Sequence, residues 1–343
     1  MIITSVEELP AALAASLSVE ERKLIQKLKV SPFRFAVTSH FASLAAPERD
    51  DPIRRQFIPD PLEEMNDPFA LDDPLGEERY RLTSRLVHQY RDRALLLAGG
   101  PCAVHCRYCF RRARMNAAFI SSAELDLVLA CLESRPGIRE ILVSGGDPLT
   151  ADDEKLDELF ARLRKARPGI LIRLCSRVPV TNPNRISPQT IEFLRSNEPL
   201  KVATHINHAK ELSPDTREAL TSLIEAGLPV HVQTVLLKGI NDSAETLALL
   251  IRECLNLGLS PYYLFQLDLA PGTAHFRVPL KRGLAIYREL GQQISGLALP
   301  AYVVDLPGGG GKIRLSEDMI ANEKDGVFLL RGYDGTLWKY PAG

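Results

Sequence analysis

From Arg93 onward the chain alternates short apolar runs with amphipathic stretches, and this alternation restricts the available folds more than any other feature. The apolar runs predict strands over 93–98, 140–144, 170–175, 201–205, 230–237 and 261–267. Between and after them, helical periodicity predicts helices over 124–132, 152–166, 188–195, 214–226, 243–257 and 280–295. Pro168-Gly169, Gly227 and Gly258 stop three of these helices. A strand–helix repeat of this kind means a parallel sheet with right-handed crossovers. Six such units build either a doubly wound sheet or an incomplete (β/α) barrel. In both, chemistry belongs at the C-terminal ends of the strands.

The segment before the repeat is different in kind. Ser5 and Ser18 each precede a pair of acids, the pattern of a capped helix start. Val19, Leu24, Ile25 and Leu28 make a short helical face. Asp51-Pro52, Asp60-Pro61, Asp67-Pro68 and Asp73-Pro74 then bias the chain against helix, so 40–75 reads as an irregular wrap. The expected division is 1–90 helical and irregular segment, 91–312 core, and 313–343 tail, the last a β-hairpin around Tyr333-Asp334-Gly335. A formal net charge of −1 and the lack of a basic run argue against a nucleic-acid or membrane-surface partner. The start of the chain shows no basic and apolar leader, and the six cysteines suit a reducing compartment, so a cytoplasmic protein is expected.

Three of those cysteines, Cys102, Cys106 and Cys109, fall within eight residues, directly after the first strand. Thiolates so closely spaced suit an iron–sulfur cluster or zinc better than disulfides. Three ligands on a cubane leave one iron open to a reacting ligand. For zinc, His105 is the candidate fourth ligand, although no second ligand pair follows at finger-like spacing. Cys131, Cys175 and Cys254 sit in apolar runs and complete neither site.

Other strand ends carry chemistry too: Ser144-Gly145-Gly146-Asp147 after the second strand, His205 after the fourth, Asp268 after the sixth. Near the end, Tyr302-Val-Val leads into Asp305-Leu-Pro-Gly308-Gly309-Gly310-Gly311-Lys312. This is no P-loop, because Leu306 and Ile313 stand where glycine and a hydroxyl residue are required. Glycines let the backbone approach a ligand closely, and a lysine there can form a Schiff base with an aldehyde cofactor. Taken alone, the run reads better as a flexible surface loop with a solvated lysine.

From Ser31 to Lys312 these motifs together resemble the lysine 2,3-aminomutase family of radical S-adenosylmethionine (SAM) enzymes. The resemblance implies an α/β fold with an incomplete (β/α)6 TIM-type barrel, the radical SAM core. It implies a [4Fe–4S] cluster on Cys102, Cys106 and Cys109, and SAM against Ser144, Gly145, Gly146 and Asp147, with His205 and Gln233 on the same side. It implies pyridoxal 5′-phosphate (PLP) on Lys312, with Tyr90 and Arg93 toward its phosphate. Arg111 would take the substrate carboxylate, and Asp268 and Asp305 its distal ammonium. The implied reaction is the isomerisation of L-lysine to β-lysine through a 5′-deoxyadenosyl radical, with an electron donor such as flavodoxin or ferredoxin.

Three readings remain open. Tyr108, Phe110 and His105 are similar to relatives that make β-lysine for elongation factor P, whereas the intact segment from Asp305 to Lys312 favours free lysine as substrate. Glutamate, another substrate within the family, would be repelled by Asp268 and Asp305. A zinc-binding structural protein is the reading from a different class. Only 31 residues follow Lys312, where family members carry a longer extension used for oligomerisation, so a homo-oligomer stays an open expectation and the tail is left to cap the barrel or meet a second subunit.

Overall fold

The structure, a computed structural model, describes residues 1–31, 33–112 and 118–342. Its centre is one nine-stranded sheet: β1 (Leu86–Tyr90), β2 (Arg93–Leu97), β3 (Glu140–Ser144), β4 (Leu171–Cys175), β5 (Leu200–His205), β6 (Val230–Val235), β7 (Ser260–Phe265), β8 (Ala301–Leu306) and β9 (Gly311–Arg314). The strands lie side by side in chain order. Strands β2 to β8 are parallel, while β1 and β9 are antiparallel additions at the two edges. The six expected strand–helix units are all present. Their helices are α1 (Ser122–Glu133), α2 (Asp153–Ala166), α3 (Pro188–Ser196), α4 (Pro214–Glu225), α5 (Ala244–Asn256) and α6 (Leu280–Gln293).

Local chemistry sets these elements. Ser121, Ser187, Ser213 and Ser243 cap α1, α3, α4 and α5, each hydroxyl accepting from the backbone N–H three residues on. A cap of this kind is worth about 1 kcal/mol. Pro188 and Pro214 occupy first-turn positions where no amide donor is missed. Along the strands burial alternates. Ile141, Val143, Ile172, Leu174 and Val202 are fully buried within the main apolar core. Their neighbours Glu140, Ser144, Arg173, Cys175, His205, Gln233 and Phe265 are only partly buried. One face of the curved sheet therefore packs on helices, and the other presents polar and aromatic groups.

No hydrogen-bonded ladder joins β1 to β9 among the described residues. Side chains bridge the gap instead. The Lys312 backbone N–H donates to the Tyr90 hydroxyl at 3.0 Å, and Gln89 Nε2 donates to the Gly309 carbonyl at 3.2 Å. The barrel is thus nearly closed, with the glycine run and its lysine at the seam. Neither edge strand was evident from the sequence: 86–90 lacks an apolar run, and 311–314 is too short to show alternation.

The tail is a three-stranded antiparallel sheet: β10 (Ile320–Lys324), β11 (Val327–Arg331) and β12 (Leu337–Pro341). The expected hairpin is its β11–β12 half. Strand β10 carries four mostly exposed polar or small residues after Ile320, which hid it from a hydrophobicity reading. Before the barrel the chain forms a helix at Val19–Lys27 and mostly short 3-10 turns from residue 50 to 80, and the barrel sheet itself begins at Leu86, inside the expected 1–90 segment.

Candidate active site

The cysteine loop leaves β2 and is held by the N-terminal wrap. The His105 N–H donates to the Ala36 carbonyl at 2.9 Å, and the Arg107 N–H to the Gln56 carbonyl at 2.8 Å. The buried Glu63 carboxylate pairs with both Arg107 and Arg112. The two guanidiniums lie 4.3 and 4.4 Å from the Phe33 ring centroid. His105 stacks on Phe33 and presents Nδ1 to the Arg34 carbonyl at 2.6 Å. That bond and the stacking fix the ring against the wrap and occupy its Nδ1. Among the described residues no set of His, Cys, Asp and Glu gathers around a single ion.

The three cysteines are unpaired thiols that sense one another. Burial pushes Cys102 well above the ordinary thiol value, and Asp147, Cys109 and Cys106 push it further. Cys109 is raised to about 11, by burial first and Cys106 second. Thiols crowded in a dry loop resist ionisation until a metal cation supplies the compensating charge.

Beside this loop lies the glycine turn after β3. Gly145 has φ +119, and a Cβ there would meet the Gly99 nitrogen at 2.8 Å. A Cβ on Gly146 would fall 1.9 Å from the Gly100 carbonyl oxygen and 3.7 Å from Cys102 Sγ. Two glycine pairs thus let the β2 and β3 loops touch, and a side chain at either position would force them apart. Asp147 differs from its expected place on a ligand. Its carboxylate is turned inward and accepts from Ser176 Oγ at 2.5 Å, the Arg177 N–H at 2.7 Å and the Leu149 N–H at 3.2 Å. Ser144 ends β3 next to this turn. His205, the last residue of β5, pairs in register with Gln233 of β6. Burial, with Arg177 and Lys312 adding to it, lowers His205 to about 4, so its imidazole is neutral, and its Nδ1 lacks a partner.

At the seam, Lys312 and Asp305 face each other in the β8–β9 register and form an ion pair. Lys312 Nζ lies 4.1 Å from the Phe265 ring centroid. The Arg93 guanidinium lies 3.9 Å over the Tyr90 ring, its partner in the β1–β2 register. Asp268 lies just past β7, and its Oδ1 is shut off from solvent with no hydrogen-bond partner. Burial and then Asp305 raise it to about 8, against the pull of Lys312 and Arg111. Arg111 makes a two-pronged contact with Glu77, at 2.8 and 2.5 Å. A planar guanidinium has five N–H donors, so this pairing leaves others for a ligand.

The glycine run is clamped rather than loose. The Tyr80 hydroxyl donates to the Gly309 carbonyl at 2.8 Å, and the Gly308 N–H to the Pro74 carbonyl at 3.3 Å. A Cβ on Gly310 would meet the Trp338 ring at 2.6 Å. N-terminal wrap and tail thus grip the segment that carries Lys312, which excludes a solvated surface loop.

One residue of this region was missed from sequence. Arg177, just after β4, is buried, and its Nη1 donates to Cys106 Sγ at 2.8 Å. Its position after a strand end was a signal, but no motif marks it.

Comparison with known proteins now decides the family. Residues 99–251 match the family model of the radical SAM superfamily, and residues 288–343 that of lysine-2,3-aminomutase. A relative from Treponema pallidum, named a putative L-lysine 2,3-aminomutase, is 45% identical over 84% of this chain and 83% of its own. This chain belongs to the lysine 2,3-aminomutase family. The L-lysine 2,3-aminomutase of Acetoanaerobium sticklandii is 34% identical, over 98% of this chain and 82% of its own. A glutamate 2,3-aminomutase from Clostridioides difficile is 32% identical, over 98% of this chain and 80% of its own. The protein is therefore a radical SAM isomerase, and family membership implies a [4Fe–4S] cluster, SAM and PLP. The donor sets fit these groups. Three thiols on one loop offer the soft donors that iron takes, two glycine pairs and an unpartnered His205 Nδ1 lie beside that loop, and a half-buried lysine sits where the barrel closes.

Proposed function

We propose that this protein moves the α-amino group of free L-lysine to carbon 3, giving β-lysine. The observation that carries this reading is Asp268: a buried carboxyl with an unpartnered oxygen, beside Asp305 and Lys312. Burial keeps this carboxyl protonated near neutrality until a cation joins it. A dry anionic pocket is costly unless a cation occupies it. The distal ammonium of lysine supplies that cation, whereas the second carboxylate of glutamate would meet two like charges.

Cys102, Cys106 and Cys109 would hold the cluster, and Ser144, Gly145, Gly146, His205 and Gln233 would border SAM. Asp147 would act from behind, fixing the turn that carries the glycines. Lys312 would hold PLP, with Tyr90 and Arg93 beside it. When bound, these groups supply the radical and the electron sink that amino-group migration requires. The chain's own residues do the rest. Asp268 and Asp305 would together take the substrate's distal ammonium, Asp305 being the present ion-pair partner of Lys312. Arg111 offers its remaining donors to the α-carboxylate. The neutral His205 imidazole adds no competing cation. Phe265, flanked by Lys312 and His205, helps to exclude water.

No helix of the described residues is long and apolar enough to cross a membrane. The six cysteines, none paired in a disulfide, support a reducing, cytoplasmic setting, and a [4Fe–4S] cluster that must be reduced by one electron calls for a low-potential donor such as a flavodoxin or ferredoxin.

An anaerobic assay with reductant, SAM and PLP tests the substrate, with lysine and glutamate offered in parallel. Lysine turnover is expected to exceed glutamate turnover by at least about tenfold, the scale of a modest binding discrimination. Asp268→Asn and Asp305→Asn should each lower kcat/KM for lysine by about 100-fold or more, the scale of breaking a buried ion pair. Unchanged kinetics in both would show that the pocket is misplaced.

A further inference from the structure

The contact between Arg177 and Cys106 has a chemical meaning that a structural strut would not need. Arg177 Nη2 donates to Gln56 Oε1 at 2.6 Å and to Glu211 Oε2 at 2.8 Å, while Nε reaches the His205 carbonyl at 3.4 Å. These oxygens account for the strut. Nη1 is spent instead on the sulfur of Cys106. The group has little freedom to do otherwise. Asp147 holds the Arg177 backbone N–H, and the rings of Phe41 and Tyr108 lie 4.9 and 5.7 Å from the guanidinium. Glu211 is itself fully buried and fixed by the backbone N–H groups of Asn207 and His208. The Tyr108 hydroxyl accepts from Asn207 Nδ2 at 2.7 Å, closing the network behind the cysteine loop.

We propose that Arg177 is a positioning residue that raises the reduction potential of the cluster through its hydrogen bond and positive charge at Cys106. The inference rests on the assignment of Cys102, Cys106 and Cys109 to a [4Fe–4S] cluster. One-electron reduction adds a negative charge that the cluster must share with its thiolates. A donor N–H and a fixed cation at one sulfur stabilise the reduced form more than the oxidised form. Glu211 opposes this from the other side of the guanidinium, so the two residues act with opposite sign. Gln56 ties the same guanidinium to the N-terminal wrap, which makes that segment part of the cluster's electrostatic surroundings.

The experiment uses the full-length protein with its cluster reconstituted, without SAM or substrate. A low-potential chemical reductant is titrated in, and the paramagnetic reduced cluster is counted by electron paramagnetic resonance. Iron and sulfide content is measured first; its absence in the unmutated protein would defeat the cluster assignment, an outcome distinct from any change in potential. At the midpoint potential of the unmutated protein, Arg177→Gln should lower the reduced-to-oxidised ratio about tenfold, equivalent to about 59 mV for one electron. Arg177→Lys, which keeps the charge, should recover part of that shift. Glu211→Gln should raise the ratio. A strut alone would not give shifts of opposite sign. An unchanged midpoint in Arg177→Gln with full iron and sulfide content overturns the proposal. Should that variant not retain iron, Glu211→Gln decides: a rise supports the proposal, and no change or a fall overturns it.

Discussion

Asp268→Asn offers a test that needs neither cofactor nor substrate. In the folded protein burial and Asp305 hold the Asp268 carboxyl at about 8, against an ordinary value of 3.8. A carboxyl raised by folding stabilises the folded state below its unfolded value, and that contribution is lost as pH climbs toward the folded value. Between pH 5 and pH 7 the unfolded chain has released this proton and the folded chain has kept it. Each pH unit in that window therefore costs about 1.4 kcal/mol, or about 3 kcal/mol across it. Relaxation and water entry around the carboxyl lower the figure, so a shift of about 1–3 kcal/mol is the reasonable expectation. Urea unfolding of the cluster-free protein at the two pH values, for unmutated protein and Asp268→Asn, isolates the term by double difference. The unmutated protein should lose that much more stability than the variant between pH 5 and pH 7. Equal losses would refute the argument that Asp268 is a dry carboxyl awaiting a cation.

Other expectations concern the frame around the site. Borohydride treatment of PLP-loaded protein should label Lys312, and Lys312→Ala should abolish both label and turnover; a label on another lysine, read by peptide mass spectrometry, would refute the assignment. Gly76 has φ +63 and its Cβ would fall 2.4 Å from the Gly309 nitrogen, so Gly76→Ala should destabilise by about 1–3 kcal/mol and weaken PLP retention; denaturation and PLP absorbance check both. Glu63→Gln would leave Arg107 and Arg112 without their shared carboxylate and should cost about 3–5 kcal/mol and lower iron uptake, read by denaturation and iron assay.

The parallel core was legible because each strand from β2 to β7 buries one face as an apolar run and each crossover helix repeats that face at helical spacing. Strands β1, β9 and β10 were not, because Leu86–Tyr90, Gly311–Arg314 and Ile320–Lys324 are held by edge pairing rather than by a hydrophobic pattern. Strand-end position pointed to the candidate site residues: Cys102, Gly145, His205 and Asp268 all lie at or just past strand ends. It did not report what each side chain touches. Asp147 reads as a ligand contact in one dimension, yet its carboxylate faces Ser176 and Arg177. Arg111 carries Glu77, an acid 34 residues upstream in the irregular wrap. Arg177 escaped notice because its significance lies in a contact with Cys106, 71 residues away in sequence. Such partners are set by folding together segments that share no local pattern.

The central claim is that the three clustered thiols carry an iron–sulfur centre open to SAM in the same barrel as Lys312. Iron and labile-sulfide analysis of the anaerobically reconstituted protein, followed by electron paramagnetic resonance of its reduced form with and without SAM, tests it most directly. About four irons and about four sulfides per chain, with a signal altered by SAM, are expected. Zinc without labile sulfide, or a reduced cluster that SAM leaves unchanged, would contradict it.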